Sequence, residues 1–198
     1  DRDEGRVDIA VDRELVVGTT GPGSNAHDFP LLLKEFAGVN FRLVSGYPAN
    51  SDILLAIERK EVDIWAAFAA TVRPVVQRGA VRPLVRARVP TPGFDYLPVD
   101  ETLTTNPVGK ALMGIKTAPL AIGRALAASP GIPGDRAAIL REAFAKVLKD
   151  PELEADGRKA QIDFQHIPRD EVLKGITAIL QQPPEVRQEM VKYIKFGG

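Results

Sequence analysis

A glycine-rich turn that directly follows a short apolar run constrains the fold of this chain more than any other feature. The run at 15–17, Leu-Val-Val, predicts a buried strand that ends at Gly18. Beyond the turn at 18–25, apolar residues recur at helical spacing from Phe29 to Phe36, and Gly38 closes this predicted helix. A strand, a tight turn and a helix in this order form the building unit of α/β proteins.

The same unit recurs along residues 14–90. We predict further strands at 41–44, 62–66 and 81–89, with helices around 53–60 and at 71–77 between them. This alternation indicates an α/β fold in which a parallel-type sheet is flanked by helices. Ligands of such sheets bind at the carboxyl ends of the strands. The turns at 18–25, 46–50 and 65–71 are expected at that edge.

The second half of the chain is predicted to contain more helix. Residues 90–118 form a connecting region with a short helix near 108–113. We predict strands at 118–128 and 162–167 and helices that begin near Asp135 and at Asp150-Pro151, where Asp caps and Pro takes the first position. Two further helices, at 171–180 and 185–194, close the chain.

Composition excludes several classes of function. The 26 basic residues equal the 26 acidic ones, so the chain lacks the basic excess that nucleic-acid binding requires. It contains no cysteine, which excludes disulfides, thiolate catalysis and cysteine metal sites. No apolar run is long enough to span a bilayer. We predict no cofactor and no nucleic-acid partner.

The turn at 18–25 is the strongest candidate for a binding site. Its glycines at 18, 21 and 23 let backbone approach a ligand, and Ser24 or Asn25 can cap the helix that follows. The first N–H groups of that helix, together with its dipole, form a seat for a carboxylate or a phosphate. A plain tight turn explains the pattern equally well. The spacing matches neither a P-loop nor G-x-G-x-x-G.

Three aromatic residues follow the second and third predicted strands. Tyr47 has a hydroxyl that can donate a hydrogen bond to a ligand, and Trp65 with Phe68 can form an apolar wall. Packing in the core is the default explanation for all three.

The remaining polar candidates carry little chemistry. His27 and Asp28 lie side by side at a helix start, where a capping pair is commoner than a catalytic one, and the chain supplies no further ligands for a metal. His166 is predicted at the surface. Arg82, Arg86 and Arg88 fall on one side of the predicted strand at 81–89, where a solvated face is favoured and contact with an acidic ligand or a partner is the alternative. No G-x-S-x-G nucleophile elbow is present. We predict no catalytic residue and no metal site.

Taken in order, the motifs resemble the periplasmic substrate-binding proteins of tripartite tricarboxylate transporters, the Bug family. The likeness covers nearly the whole chain except 90–128. Two positions depart from the family pattern, because Lys60 and Ala49 stand where the family usually has glycine. The segments that carry the likeness are 15–28, 36–38, 44–48, 52–63, 130–133, 140–144, 149–152 and 183–186.

The resemblance implies two α/β lobes of the type II periplasmic-binding-protein kind, with a small organic acid held between them. Residues 1–13 would be a linker, 14–118 the ligand-binding second lobe with its connector, and 119–198 a crossover strand with the C-terminal helical and strand part of the first lobe. The carboxylate cradle and its lining would come from Thr20, Gly21, Gly23, Ser24, Asn25, Tyr47 and Trp65.

The resemblance also implies that most of the first lobe is missing from this chain. We therefore expect weak or no ligand binding by the chain alone, and a homodimer through the surface that the missing part leaves. The leading hypothesis is a non-enzymatic periplasmic carrier that delivers a small carboxylate to membrane transporter subunits. Two alternatives remain: a cytosolic enzyme that seats a phosphate at the turn and uses His27 with Asp28, and an extracytoplasmic sensor or interaction module.

Overall fold

The sheet of the protein is small and entirely parallel. A computed structural model describes residues 13–193 except 161, 163 and 165, so the predicted linker lies outside the described residues apart from Arg13. The strands are β1 (Leu15–Thr19), β2 (Phe41–Ser45) and β3 (Ile64–Trp65), in the order β2-β1-β3. The three strands predicted first in the sequence are therefore confirmed, and the protein is α/β with a three-stranded parallel sheet flanked by helices.

β1 lies at the centre because its side chains suit burial on both faces of the sheet. Val17 and Thr19 are fully buried, and Leu15 is nearly so. Val17 is in register with Leu43 of β2 and with Ile64 of β3. The glycine-rich turn at 18–25 begins at the end of this central strand. It therefore lies at the middle of the carboxyl edge of the sheet.

Helices fill the rest of the described chain. α1 (Asn25–Ala37) and α2 (Asn50–Glu58) lie in the two connections of the sheet, and α3 (Ala69–Gln77) follows β3. A 3-10 turn at Asp100–Leu103 precedes the others. These are α4 (Pro107–Ile122), α5 (Gly134–Val147), α6 (Pro151–Ala160), α7 (Arg169–Leu180) and α8 (Pro184–Tyr193).

The main core lies between the sheet and α4. Leu32 and Leu33 of α1 meet Val17 and Leu112 there, and Val186 of α8 joins them. α1 and α4 approach closely at Gly109, where a Cβ atom would lie 2.6 Å from Cγ of Phe36. A smaller cluster, built from Ala26, Ile53, Ala56 and Val62, holds α2 against the other face of the sheet.

The predicted fourth strand at 81–89 is wrong. The segment runs as irregular backbone, and a single parallel bridge joins Arg86 to Val99. Pro83 cannot donate to a ladder, and β3 has only two residues on which a fourth strand could pair. The alternating arginines therefore do not share one face of a strand.

Two later strands are also wrong. Residues 118–122 belong to α4, because a helix already formed from Pro107 continues through Ala118 and Leu120 until Gly123 ends it with a φ of 69°. Residues 123–128 are irregular. Of the segment 162–167, the described positions 162, 164, 166 and 167 are irregular, and 163 and 165 lie outside the described residues. His166 is exposed, as predicted.

The helices of the second half bury less than those of the first. α7 and α8 pack on α4, whereas α5 buries none of its side chains. The helices predicted from 135, 151, 171 and 185 are confirmed. Within the described residues, none of the helices combines the length and the apolar character needed to cross a membrane.

Candidate functional site

The glycine-rich turn is fixed by its own hydrogen bonds. Of the two predicted caps, Ser24 is the N-cap of α1: its Oγ accepts from the backbone N–H of His27 at 3.2 Å and donates to the carbonyl of Gly21 at 2.7 Å. Gly21 and Gly23 have φ values of 126° and 89°, which residues with a side chain rarely adopt. The glycines are therefore needed for the shape of the turn.

A carboxylate of the chain itself occupies this turn. Asp28 is fully buried, and its Oδ1 accepts from the N–H of Gly23 at 3.0 Å and lies 2.9 Å from Nδ1 of His27. Its Oδ2 accepts from Nζ of Lys116 in α4 at 2.6 Å, and the same ammonium reaches the carbonyl of Gly23 at 3.3 Å. The anion seat predicted at the turn thus has an internal anion, which pairs with a cation 88 residues away in the sequence.

An open cleft of about 960 Å³ lies beside the turn, between β3, α3 and residues 80–94. Of the seven residues predicted to bind a ligand, Asn25 and Trp65 line this cleft. Asn25 opens α1, and Trp65 ends β3. The lining does not include the other five, which are Thr20, Gly21, Gly23, Ser24 and Tyr47. The volume falls in the usual range for small-molecule sites.

The lining of the cleft is positively charged. It contains four arginines, and the single acidic residue among the described lining is Asp63. The guanidinium of Arg13 donates to Asp63 at 2.8 Å and lowers the pKa of that carboxyl. Asp63 therefore stays ionised, and the positive charge of Arg13 compensates it. A cleft with one sign of charge concentrates ligands of the opposite sign. The four arginines are Arg73, Arg82, Arg86 and Arg158.

Arg86 is half-buried and forms no ion pair among the described residues, whereas Arg158 lies 3.6 Å from Glu154 in an ion pair. Nη1 of Arg86 donates to the carbonyl of Ala87 at 3.2 Å, and its Nε is buried without a hydrogen-bond partner among the described residues. Arg88 pairs with Glu101. Arg73 donates to the carbonyl of Pro92, which fixes it on the opposite wall.

The three aromatic candidates have different positions, and Phe68 is exposed and lines the cleft instead of packing in the core. Trp65 donates from Nε1 to Oδ1 of Asn50 at 3.1 Å, so its indole is fixed at the wall of the cleft. Tyr47 packs on the cluster around Ile53, and its ring lies 3.5 Å from where a Cβ of Gly18 would stand. Packing in that cluster explains the position of Tyr47, as expected for a residue of the core.

The chain matched no family model, no curated protein and no solved structure in our comparisons. Within the described ranges, no three His, Asp or Glu side chains are grouped so that they could hold a metal ion.

A pair of buried acids lies behind the cleft, on the 3-10 turn. Asp100 is 1% exposed, and Oδ2 of Asp100 and Oε1 of Glu101 have no hydrogen-bond partner among the described residues. Burial, and then the neighbouring charge of Glu101, raise the pKa of Asp100 to about 6, although the N–H of Glu101 and the charge of Arg88 oppose the shift.

Sequence reasoning missed Lys116, Arg73 and the acid pair. Lys116 is one of many lysines, and nothing near it in the sequence points to Asp28. In the sequence, Asp100 and Glu101 resemble an ordinary pair of solvent-exposed charges. Only the packing of the 3-10 turn against α4 gives these two acids their low exposure.

Proposed function

We propose that this protein is an extracytoplasmic solute-binding protein that captures a small organic acid and delivers it to a transporter of the tripartite tricarboxylate type. The observation that carries the proposal is the charge of the cleft, where four arginines face one neutralised aspartate. The ordered motifs that resemble the Bug family support the same class of ligand and a periplasmic location.

Each part of the cleft has a role in this proposal. Trp65 provides an apolar wall for the carbon skeleton of the acid, and Asn25 provides a polar group at the start of α1, where the helix dipole also favours an anion. Arg86 provides a half-buried positive charge that forms no ion pair within the described residues, and its Nε is buried without a hydrogen-bond partner there. The turn at 18–25 shapes the edge of the cleft and is held by Asp28 and Lys116.

A carrier needs only binding and release. In this proposal, His27 and Asp28 stabilise the turn, where Nδ1 of His27 lies 2.9 Å from the buried carboxylate of Asp28. Ligand specificity then comes from the size of the cleft and from the number of carboxylates that the arginines can compensate.

Trp65 allows a direct test, because it is the single tryptophan of the chain. Its fluorescence is titrated with succinate and, as a neutral isostere, with succinamide, at constant ionic strength. We expect a saturable change with succinate at a Kd of about 1 mM or weaker, and none with the diamide. Arg86→Gln is expected to weaken succinate binding about tenfold, since a desolvated charge partner is lost.

Arg42→Gln is the matched control, because Arg42 is exposed and pairs with Glu14 away from the cleft. Its affinity is expected to equal that of the unmodified chain. Equal responses to succinate and succinamide would refute carboxylate binding. Binding of inorganic phosphate together with turnover that His27→Ala abolishes would support the enzyme alternative. Capture of a receptor kinase by the tagged protein, in place of transporter subunits, would support the sensor alternative.

A further inference from the structure

α5 exposes an apolar face that no part of the described chain covers. None of its side chains is buried, and it makes no extended packing contact with another described helix or strand. Leu140 is 56% exposed and Ile139 is 65% exposed. Phe144 and Val147 are exposed as well. These four side chains are exposed although the helix is well formed, so its apolar side has no partner among the described residues.

The exposed apolar residues lie on one side of α5. At about 100° per residue, positions 139, 140, 143, 144 and 147 cover an arc of about 140°. Glu142 and Lys146, which form an ion pair, lie outside this arc and flank it on the side of Ile139. Ala143 lies within the apolar arc and midway between Ile139 and Val147 along the chain. A small residue at this place allows a second helix to approach closely.

We propose that two copies of this chain associate through α5, with the two helices antiparallel and the two-fold axis beside Ala143. In this arrangement Ile139 packs beside Val147 of the partner subunit, and each contact occurs twice because the interface is isologous. Leu140 and Phe144 lie next to the axis and pack in the same seam, which is the line of contact between the two helices. The occupant of the apolar face is therefore a second α5.

Charge complementarity selects the antiparallel arrangement. Arg136 lies seven residues before Ala143, and Asp150 lies seven residues after it. α5 ends at Val147, and in the turn that follows the N–H of Asp150 bonds to the carbonyl of Val147 at 3.1 Å, while the carboxylate of Asp150 caps α6 by accepting from the N–H of Glu152. A two-fold axis at Ala143 therefore brings Arg136 near Asp150 of the partner subunit, at both ends of the seam. Neither side chain has an ion-pair partner within the described residues. A parallel pair would place like charges together.

The absence of cysteine makes a cross-linking test direct. Ala143→Cys places one thiol per subunit beside the axis, where a disulfide has the short Cα separation that it requires. Ala138→Cys is the matched control, because Ala138 is an exposed alanine of the same helix on its polar side. On non-reducing gels after mild oxidation, we expect Ala143→Cys to run mainly as a dimer and Ala138→Cys mainly as a monomer.

Sedimentation equilibrium tests the same interface without a cross-link. Leu140→Glu is expected to raise the dimer dissociation constant at least about tenfold, and circular dichroism should stay unchanged because the site is exposed. Arg136→Asp should also weaken the dimer, and so should Asp150→Asn, which removes the charge but keeps an oxygen that can cap α6. A monomeric unmodified chain, equal cross-linking at 138 and 143, or association that Leu140→Glu leaves unchanged would each overturn the proposal. None of these outcomes depends on ligand binding.

Discussion

The ammonium of Lys116 lies 2.6 Å from Oδ2 of the fully buried carboxylate of Asp28. This pair connects the middle of α4 to the first turn of α1. The same carboxylate also accepts from the N–H of Gly23. The glycine-rich turn and the helix that covers it are therefore held together by one buried ion pair.

Asp28→Asn is expected to destabilise the fold by about 3–5 kcal/mol, because Lys116 then keeps a charge that is largely buried and has lost its counter-charge. The free energy of unfolding in urea measures this loss. A second substitution, Lys116→Met, should recover part of it by removing the unpaired charge. The control is Glu58→Gln, which breaks an exposed pair with Arg78 and should cost less than about 1 kcal/mol. Equal losses in Asp28→Asn and Glu58→Gln would contradict the role of the buried pair.

Two glycines of α4 allow a matched test of helix packing. Gly109→Ala puts a Cβ atom 2.6 Å from Cγ of Phe36, so we expect a loss of about 1–3 kcal/mol as α1 and α4 move apart. At Gly114 the nearest atom, Oε1 of Glu101, lies 3.6 Å away. Gly114→Ala is expected to stabilise the helix by about 0.5–1 kcal/mol. Thermal unfolding of both variants measures the difference, and similar Tm shifts of the same sign would show that the two helices do not pack as described.

Asp100 should make stability depend on pH. Burial raises the pKa of this carboxyl from 3.8 to about 6, so the folded state holds a proton that the unfolded chain has released. The stabilisation that this proton gives to the folded state is therefore complete below pH 4. It declines as the pH rises towards 6 and is absent above that. The difference corresponds to about 3 kcal/mol at most, at 1.36 kcal/mol for each pKa unit.

Asp100→Asn isolates this contribution from that of the other acids. We expect the variant to gain free energy of unfolding relative to the unmodified chain as the pH is raised from 4 to 6.5, with no further change between 7 and 8. Urea unfolding at fixed pH values gives the difference curve. A flat difference across pH 4 to 6.5 would mean that Asp100 titrates with an ordinary pKa.

Ser24→Ala separates the structural part of the turn from its ligand part. The variant loses the N-cap bond to His27, which should cost about 1 kcal/mol in unfolding free energy. Because Oγ already donates to Gly21 and does not line the cleft, we expect succinate affinity to change less than about twofold. Trp65 fluorescence at low temperature, where both proteins are folded, measures that affinity. A tenfold loss would instead place the carboxylate on the turn itself.

Local features of the chain were enough to predict much of the first half. The apolar run before Gly18, the helical spacing from Phe29 and the cap at Ser24 each act within a few residues. Such signals are legible in a sequence because the interactions they describe join near neighbours. The fourth strand could not be predicted in this way, because a strand exists only when a neighbouring strand offers its edge, and β3 ends after Trp65.

The sequence by itself determined the α/β class, the turn that follows the central strand and the cap of α1. Tertiary structure alone decided that Asp28 fills this turn, that Lys116 neutralises it, and that the arginines at 73, 82 and 86 face one cleft. The physical reason is range: backbone shape is set by adjacent residues, whereas burial and charge pairing join residues far apart in the chain.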